Sequence, residues 1–351
     1  MFHLILTACL AGPAPDCAPV LLPAGDGADL AACQAHSARI VDDWLAAHPQ
    51  LVAGGVECQP NAALPAADLR ELAPGVHVHF GEIAQMEDSP DGRIANLGVV
   101  IGQTVAVIDA GVSRAEGQAL YVAIRRLTDR PVSHLILTHL HPDHILGAEV
   151  MSEAGAEIVA HAALPAALEV RGAVYLDNVQ QLYPPAEWIG TRVVAPDRTV
   201  AEPALIDLGG RQLHLTPIGP AHTDSDLTVF DPDSGTLFTG DLIFRGLTPV
   251  VDGSLRGWLD WMDQAPHPMP RIIVPGHGPA AGSWDEAVGP QRLFLKALSE
   301  TVRQAIVTGA PLSRAVEDVA NALESMKDDW QAFPQTVRRN ATAAYKELEW
   351  E

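Results

Sequence analysis

Apolar positions in the middle of this chain fall into short runs rather than one long helical period. Val76-His77-Val78-His79-Phe80 alternates as a strand does, and residues 97–101, 105–108, 135–137 and 158–160 read as further strands. Between them, residues 113–127 read as a helix begun by a Ser cap, with Leu120, Ile124 and Leu127 as its apolar face. A second batch of strands follows at 204–208, 212–217, 227–230, 237–238 and 272–274, and Asp231-Pro232-Asp233-Ser234-Gly235 makes a hairpin turn between two of them. Two successive batches of strands and helices predict two sheets face to face, each covered by helices.

The flanks have a different pattern. Residues 1–73 are rich in Ala, Pro and Gly. They hold one helical stretch at 33–47, carrying Ile40, Val41, Trp44 and Leu45, before Pro49, Pro60, Pro65 and Pro74 break the pattern. From Trp284 the chain reads as helical: Leu293, Leu295, Leu298, Val302 and Ile306 mark one helix, and Pro311 and Pro334 punctuate two more. The expected organisation is a cysteine-containing N-terminal module and linker (1–73), an α/β domain (74–283) and a helical C-terminal extension (284–351).

Composition narrows the function classes. With 22 basic and 44 acidic residues the formal charge is -22, which opposes binding to phosphate backbones and anionic membranes and argues against a nucleic-acid partner. No run of eighteen apolar residues appears, so no transmembrane segment is expected. Nearly half of the 351 residues are apolar, enough for a substantial core.

All four cysteines, Cys9, Cys17, Cys33 and Cys58, lie in the first sixty residues, at spacings that match neither a thioredoxin-type pair nor a zinc ribbon. One or two disulfides in an oxidising compartment is the expected reading, with the three pairings left open; four reduced cysteines in a cytoplasmic protein is the alternative. Residues 2–11 resemble a very short export signal without a basic start, and Leu6-Thr7-Ala8-Cys9 resembles a lipoprotein cleavage box behind an unusually short leader.

The chemistry is concentrated in Thr138-His139-Leu140-His141-Pro142-Asp143-His144, directly after an apolar run. Four potential metal ligands launched from a strand end are hard to explain as packing. Further donors stand at His222, in Thr239-Gly240-Asp241, and in Pro275-Gly276-His277-Gly278. Imidazole and carboxylate donors without thiolates suit zinc, iron or manganese rather than a structural zinc knot.

These residues resemble the metallo-β-lactamase superfamily, over Pro74 to Gly282. The resemblance implies a four-layered αββα sandwich with metals at one edge. Carried over by motif, His139, His141 and His222 would bind a first ion, and Asp143, His144 and His277 a second, with Asp241 between them. Asp109, in Val107-Ile108-Asp109-Ala110-Gly111, would orient a ligand histidine from outside. Two ions about 3.5–4 Å apart would hold a bridging water and make it an attacking hydroxide near neutral pH. Asp143 would steer it or relay a proton.

The best-known β-lactamase branch has cysteine where Asp241 stands; aspartate is shared with glyoxalase II-like and lactonase-like branches. Glyoxalase II follows its third histidine with a Thr-x-Gly turn, whereas His222-Thr223-Asp224-Ser225-Asp226 does not. The whole layout is similar to the quinoprotein relay system zinc metallohydrolases. It shares their cysteine-bearing start, the Gly253-Ser254-Leu255-Arg256-Gly257-Trp258 segment and the Leu348-Glu349-Trp350-Glu351 end. That resemblance implies a periplasmic setting beside a pyrroloquinoline quinone dehydrogenase.

Other residues receive plainer readings. His77 and His79 are expected to be exposed strand residues, His161 a satisfied loop histidine bordering the site, and His134, His214 and His267 ordinary. Trp258 and Trp261, at helical spacing with Leu255 and Leu259, are expected in the core, with a substrate pocket as the alternative. Arg245 and Arg256 are expected to pair with the protein's own carboxylates.

The expected function is a binuclear zinc hydrolase acting on a small-molecule ester, thioester, lactone or related acyl bond. The alternatives are a non-hydrolytic accessory or maturation protein of a quinoprotein system, and a β-lactamase.

Overall fold

The computed structural model describes residues 1–351 apart from Ala14. Its strands form three sheets. In the first, β1 (Phe2–Leu10) lies between β2 (Cys17–Gly27) and β3 (Leu51–Pro60), antiparallel to both. The second has seven strands: β4 (Arg70–Ala73), β5 (Val76–His79), β6 (Leu97–Ile101), β7 (Val105–Ile108), β8 (Val132–Leu137), β9 (Glu157–His161) and β10 (Arg198–Val200), in spatial order from β10 to β4. The third runs in sequence order through β11 (Ala204–Asp207), β12 (Gln212–Pro217), β13 (Leu227–Asp231), β14 (Thr236–Phe238) and β15 (Ile272–Val274).

The two larger sheets pack face to face. Val76, Val78, Ile108 and Ile136 of one share a buried cluster with Leu213, Leu215, Val229 and Val274 of the other. The opposite face of the seven-stranded sheet is covered by helices Arg114–Leu127, Ala148–Glu153 and Leu164–Leu182, through Leu120, Ile124, Met151 and Leu168. The opposite face of the third sheet is covered by Leu255–Met262, Trp284–Val307, Leu312–Ala322 and Phe333–Leu348, through Trp258, Phe294, Val319 and Val337. This is the four-layer αββα sandwich, with a small disulfide-bonded sheet at its N-terminal end and helices at its C-terminal end. No helix among the described residues is long and apolar enough to cross a membrane.

The N-terminal segment takes its own place in the fold. Residues 2–10, which resemble a short leader in sequence, form the central strand of the first sheet. Leu4, Leu6 and Ala8 point into the module's own core with Trp44, while Ile5 on the other face joins the core around Leu120. A strand buried on both faces reads as a continuous apolar run, which is what a leader looks like. Cys9 is bonded to Cys17 and Cys33 to Cys58, one of the three pairings the sequence left open. The predicted 33–47 helix is divided into Leu30–Gln34 and Ser37–Ala47.

The module is held to the sandwich by a buried charge network. The Arg114 guanidinium donates to Glu149 (2.9 Å), to Glu153 and to the Leu21 carbonyl (2.9 Å), and lies over the Trp44 ring. An arginine this buried is tolerated because carboxylates and a carbonyl take its protons.

Candidate metal centre

Sheet topology brings the donor-bearing loops to one edge. Parallel β7 and β8 end at Asp109 and Thr138, and parallel β14 and β15 end before Asp241 and His277. Strand β13 runs antiparallel to β14, so the loop entering it, with His222, opens at the same end. The Leu227 N–H donates to the Thr138 carbonyl at 2.7 Å and links the two sheets there. A Cβ at Gly276 would lie 1.9 Å from Asp241 Oδ1, so that position admits only glycine.

The seven predicted donors form two groups, in each of which the donor atoms lie within 4.8 Å of one another: His139, His141, His222 and Asp241, and Asp143, His144 and His277. In the first, His141 Nδ1 is 3.1 Å from His139 Nε2 and 2.9 Å from His222 Nε2. Asp241 stands between the groups: Oδ2 is 3.5 Å from His139 Nε2 and 3.4 Å from His222 Nε2. Its Oδ1 is 3.2 Å from His144 Nε2 and 3.3 Å from His277 Nε2. Asp143 Oδ2 is 3.4 Å from His144 Nε2 and 3.3 Å from His277 Nε2.

The outer nitrogens of four rings face acceptors. His222 Nδ1 donates to the Val250 carbonyl (2.7 Å), His277 Nδ1 to the Ile94 carbonyl (2.9 Å), His144 Nδ1 to Asp109 Oδ2 (2.8 Å) and His141 Nε2 to Asp252 Oδ2 (3.0 Å). A neutral imidazole that donates from its outer nitrogen keeps a lone pair on the inner one. Asp109 also accepts from the Thr138 N–H and hydroxyl. It holds φ 61°, a strained conformation for a residue with a side chain, at the point where its carboxylate must reach both partners.

Electrostatics separates the two groups. Burial, helped by neighbouring His144, lowers His139 to about 4, and burial holds His222 well below the usual histidine range. Burial also opposes charge on His144 and His277, but surrounding carboxylates prevail. Asp241, Asp143 and Asp109 hold His144 well above its usual value, and Asp241 and Asp143 raise His277 to about 9. Asp143 and Asp241 are held low despite burial, by His144 and His277 for the first and by His277, His144 and His139 for the second. The carboxylates therefore demand positive charge at this spot. His144 Nε2 and Asp241 Oδ1 are buried without a hydrogen-bond partner. Inward-facing ring nitrogens, two orphaned buried atoms and an excess of negative charge fit divalent cations. Phe244 stacks on His277 and Trp258 packs against His222, keeping the back of the site apolar.

Several site residues carry no motif. Asp252 anchors His141 and is itself paired with Arg171. Asn96 donates to the carbonyls of Pro275 and Gly278, both at 2.8 Å, and staples the His277 loop. Asn340 holds the loop that carries Val250 and Asp252. A lone acid or amide has no spacing signature; only the position of Asp252 just beyond the apolar pair Val250-Val251 was available as a hint.

The remaining candidates contribute no donor atom to either group. His77 is buried in β5, against the expectation of exposure, because strands β4 and β6 flank it. His161 Nδ1 accepts from the Ala163 N–H. Trp258 is in the core, donating to the Leu242 carbonyl at 2.9 Å, and Trp261 packs on Trp284. Arg245 donates to Glu286, and Arg256 lies 3.8 Å from Glu351.

The description "Metallo-beta-lactamase superfamily" belongs to a family model that matches residues 90–277, more than half of the chain. Among solved structures, a beta-lactamase domain protein from Burkholderia ambifaria is 19% identical with TM-score 0.60, covering 82% of this chain and 89% of that one. A metallo-beta-lactamase family protein from Thermus thermophilus is 19% identical with TM-score 0.58, covering 80% of this chain and 94% of that one. The inverting sec-alkylsulfatase Pisa1 from Pseudomonas sp. is 16% identical with TM-score 0.61, covering 80% of this chain but only 50% of its own. At these identities the likeness is one of fold.

Proposed function

This chain belongs to the metallo-beta-lactamase superfamily, and from that premise we propose that it is a binuclear zinc-dependent hydrolase of an ester, thioester, lactone or related acyl bond. Hydrolysis is the general activity of the superfamily. Iron or manganese would fit the same donors. The supporting observation is the pair of donor groups sharing Asp241, with inner ring nitrogens left free by their outer partners.

In this reading His139, His141 and His222 would hold one cation and Asp143, His144 and His277 the other, with Asp241 available to both. Bound cations would supply a Lewis acid and a water acidified towards neutrality. The chain's own residues do the rest. Asp143, which lines the cavity, positions the attacking water and takes its proton. Asp109 and Asp252 hold the His144 and His141 rings in one orientation. Phe244 and Trp258 exclude solvent from behind the donors.

The setting belongs to the same proposal. Two disulfides are compatible with an oxidising compartment such as the periplasm. With the segments at 253–258 and 348–351 they support the quinoprotein relay assignment and a quinoprotein dehydrogenase partner. Residues 1–73, 74–283 and 284–351 are the proposed divisions.

A second reading, a non-hydrolytic accessory or maturation protein, draws on the edge strand β3, where Val52 and Val56 are exposed. A β-lactamase is disfavoured by Asp241 at the cysteine position. The test is metal quantification with a panel of carboxylic esters, thioesters, lactones, a sulfate ester and a β-lactam. Acyl turnover that H141A abolishes is expected; turnover surviving in H141A, or none by metal-loaded protein, would overturn the proposal.

A further inference from the structure

Above the donors lies a cavity of about 480 Å³, floored by His141, Asp143, His222, Asp241 and His277. One wall is the helix Leu164–Leu182. On it Val170, Val174 and Leu182 line the cavity while 78%, 55% and 40% exposed. Steps of four residues place successive side chains on nearly the same helical face. Val170 and Val174 therefore form an exposed apolar patch, with Leu182 beyond the polar Asn178 on the same face, and Leu247 and Val250 line the same cavity. Apolar area turned towards a reactive centre, rather than into a core, marks a place for an apolar ligand group.

Two polar groups of the same cavity have hydrogen-bonding capacity that the protein leaves unused. The Tyr175 hydroxyl is buried without a hydrogen-bond partner and lies beside the Arg171 guanidinium, which is itself a donor. Its own proton has no acceptor. Arg171 is committed to Asp252. Arg339, contributed by the Phe333–Leu348 helix, differs: in a chain of net charge -22 it has neither an ion pair nor a hydrogen bond among the described residues. Its neighbour Arg338 faces away and is paired with Glu317 at 2.9 Å. An uncommitted guanidinium and an unpaired phenol beside an apolar patch complement an oxygen-rich anionic group at the end of an aliphatic chain.

We propose that the substrate is an acyl compound whose aliphatic chain lies along Val170, Val174 and Leu182 and whose far end carries an anionic group, a carboxylate or its equivalent, held by Arg339. The inference rests on the acyl-hydrolase reading and specifies its substrate. Glu87 also lines the cavity, so recognition comes from the uncommitted arginine and not from a generally positive surface.

The test uses the zinc-loaded full chain and three p-nitrophenyl esters: acetate, hexanoate and the monoester of adipate. The last two share chain length and leaving group and differ only in the terminal carboxylate. The wild type is expected to favour adipate over hexanoate by about tenfold in kcat/KM, a typical size for one partly shielded charge-assisted contact. That ratio should fall towards one in R339Q, through KM, and persist in R338Q on the same helix. V174S should narrow the preference for hexanoate over acetate. Equal turnover of adipate and hexanoate esters, or an adipate preference that survives R339Q, would overturn the inference and leave the acyl-hydrolase reading standing. Absence of turnover for all three esters and for the thioester and lactone panel would overturn both.

Discussion

The Asn340 side-chain carbonyl accepts a hydrogen bond from the Val251 N–H at 3.0 Å, and the same side chain donates to the Pro249 carbonyl at 2.7 Å. Both contacts are buried, and between them lies Val250, whose carbonyl receives the His222 proton. Asp252, directly after Val251, receives the proton of His141. A C-terminal helix thereby sets two of the three histidines of the first donor group.

N340A strands a buried backbone N–H and a carbonyl, each costing about 1–3 kcal/mol. Denaturant unfolding should show that loss. Chelator competition should show weakened metal binding as well. Unchanged metal affinity in a folded N340A would show that the brace does not reach the site.

Asp109 gives a cleaner test, because asparagine tolerates its positive φ and D109N leaves the backbone geometry accessible. The amide cannot serve Thr138 and His144 as the carboxylate does. Metal affinity should fall about 10–100-fold with little change in far-UV circular dichroism. Wild-type affinity in D109N would remove Asp109 from the account.

Glu116 predicts a pH dependence. Burial, only partly offset by the Val112 N–H, pushes its carboxyl up from 4.5 to about 8. The native state then keeps a proton that the unfolded chain has released. This contribution to stability is full below the unfolded value and is lost as pH rises towards the folded one. Unfolding free energy should decline between pH ~5 and ~8, by at most about 1.4 kcal/mol per pH unit from this group, and E116Q should flatten the decline. A slope that E116Q leaves intact would assign the effect elsewhere.

The disulfides should contribute unequally. Cys33–Cys58 closes a loop of 25 residues and Cys9–Cys17 one of 8, so chain entropy gives the first the larger share, about 3 kcal/mol. Paired alanine substitutions followed by denaturant unfolding measure both. A larger loss from C9A/C17A would contradict this ordering.

The donor side chains were legible because the chemistry is written locally: His139, His141, Asp143 and His144 share one loop, and Asp241 and His277 each sit in a short turn after an apolar run. The two larger sheets were legible because their strands are short apolar runs set off by polar turns. The first sheet was not. Strand β1 is buried on both faces, so it lacks the alternation that marks a strand. The Leu164–Leu182 helix was missed because Val170 and Val174 face a cavity and blur its amphipathic pattern. Asn96, Asp252 and Asn340 act through contacts more than 80 residues away in sequence, which no local spacing records.

Counting the metal bound per chain, by elemental analysis after equilibration with zinc and removal of free ion, tests the paired-cation centre most directly. About two ions per chain are expected in the wild type and about one in H277A. Zinc at buffer background in folded wild-type protein would contradict that centre.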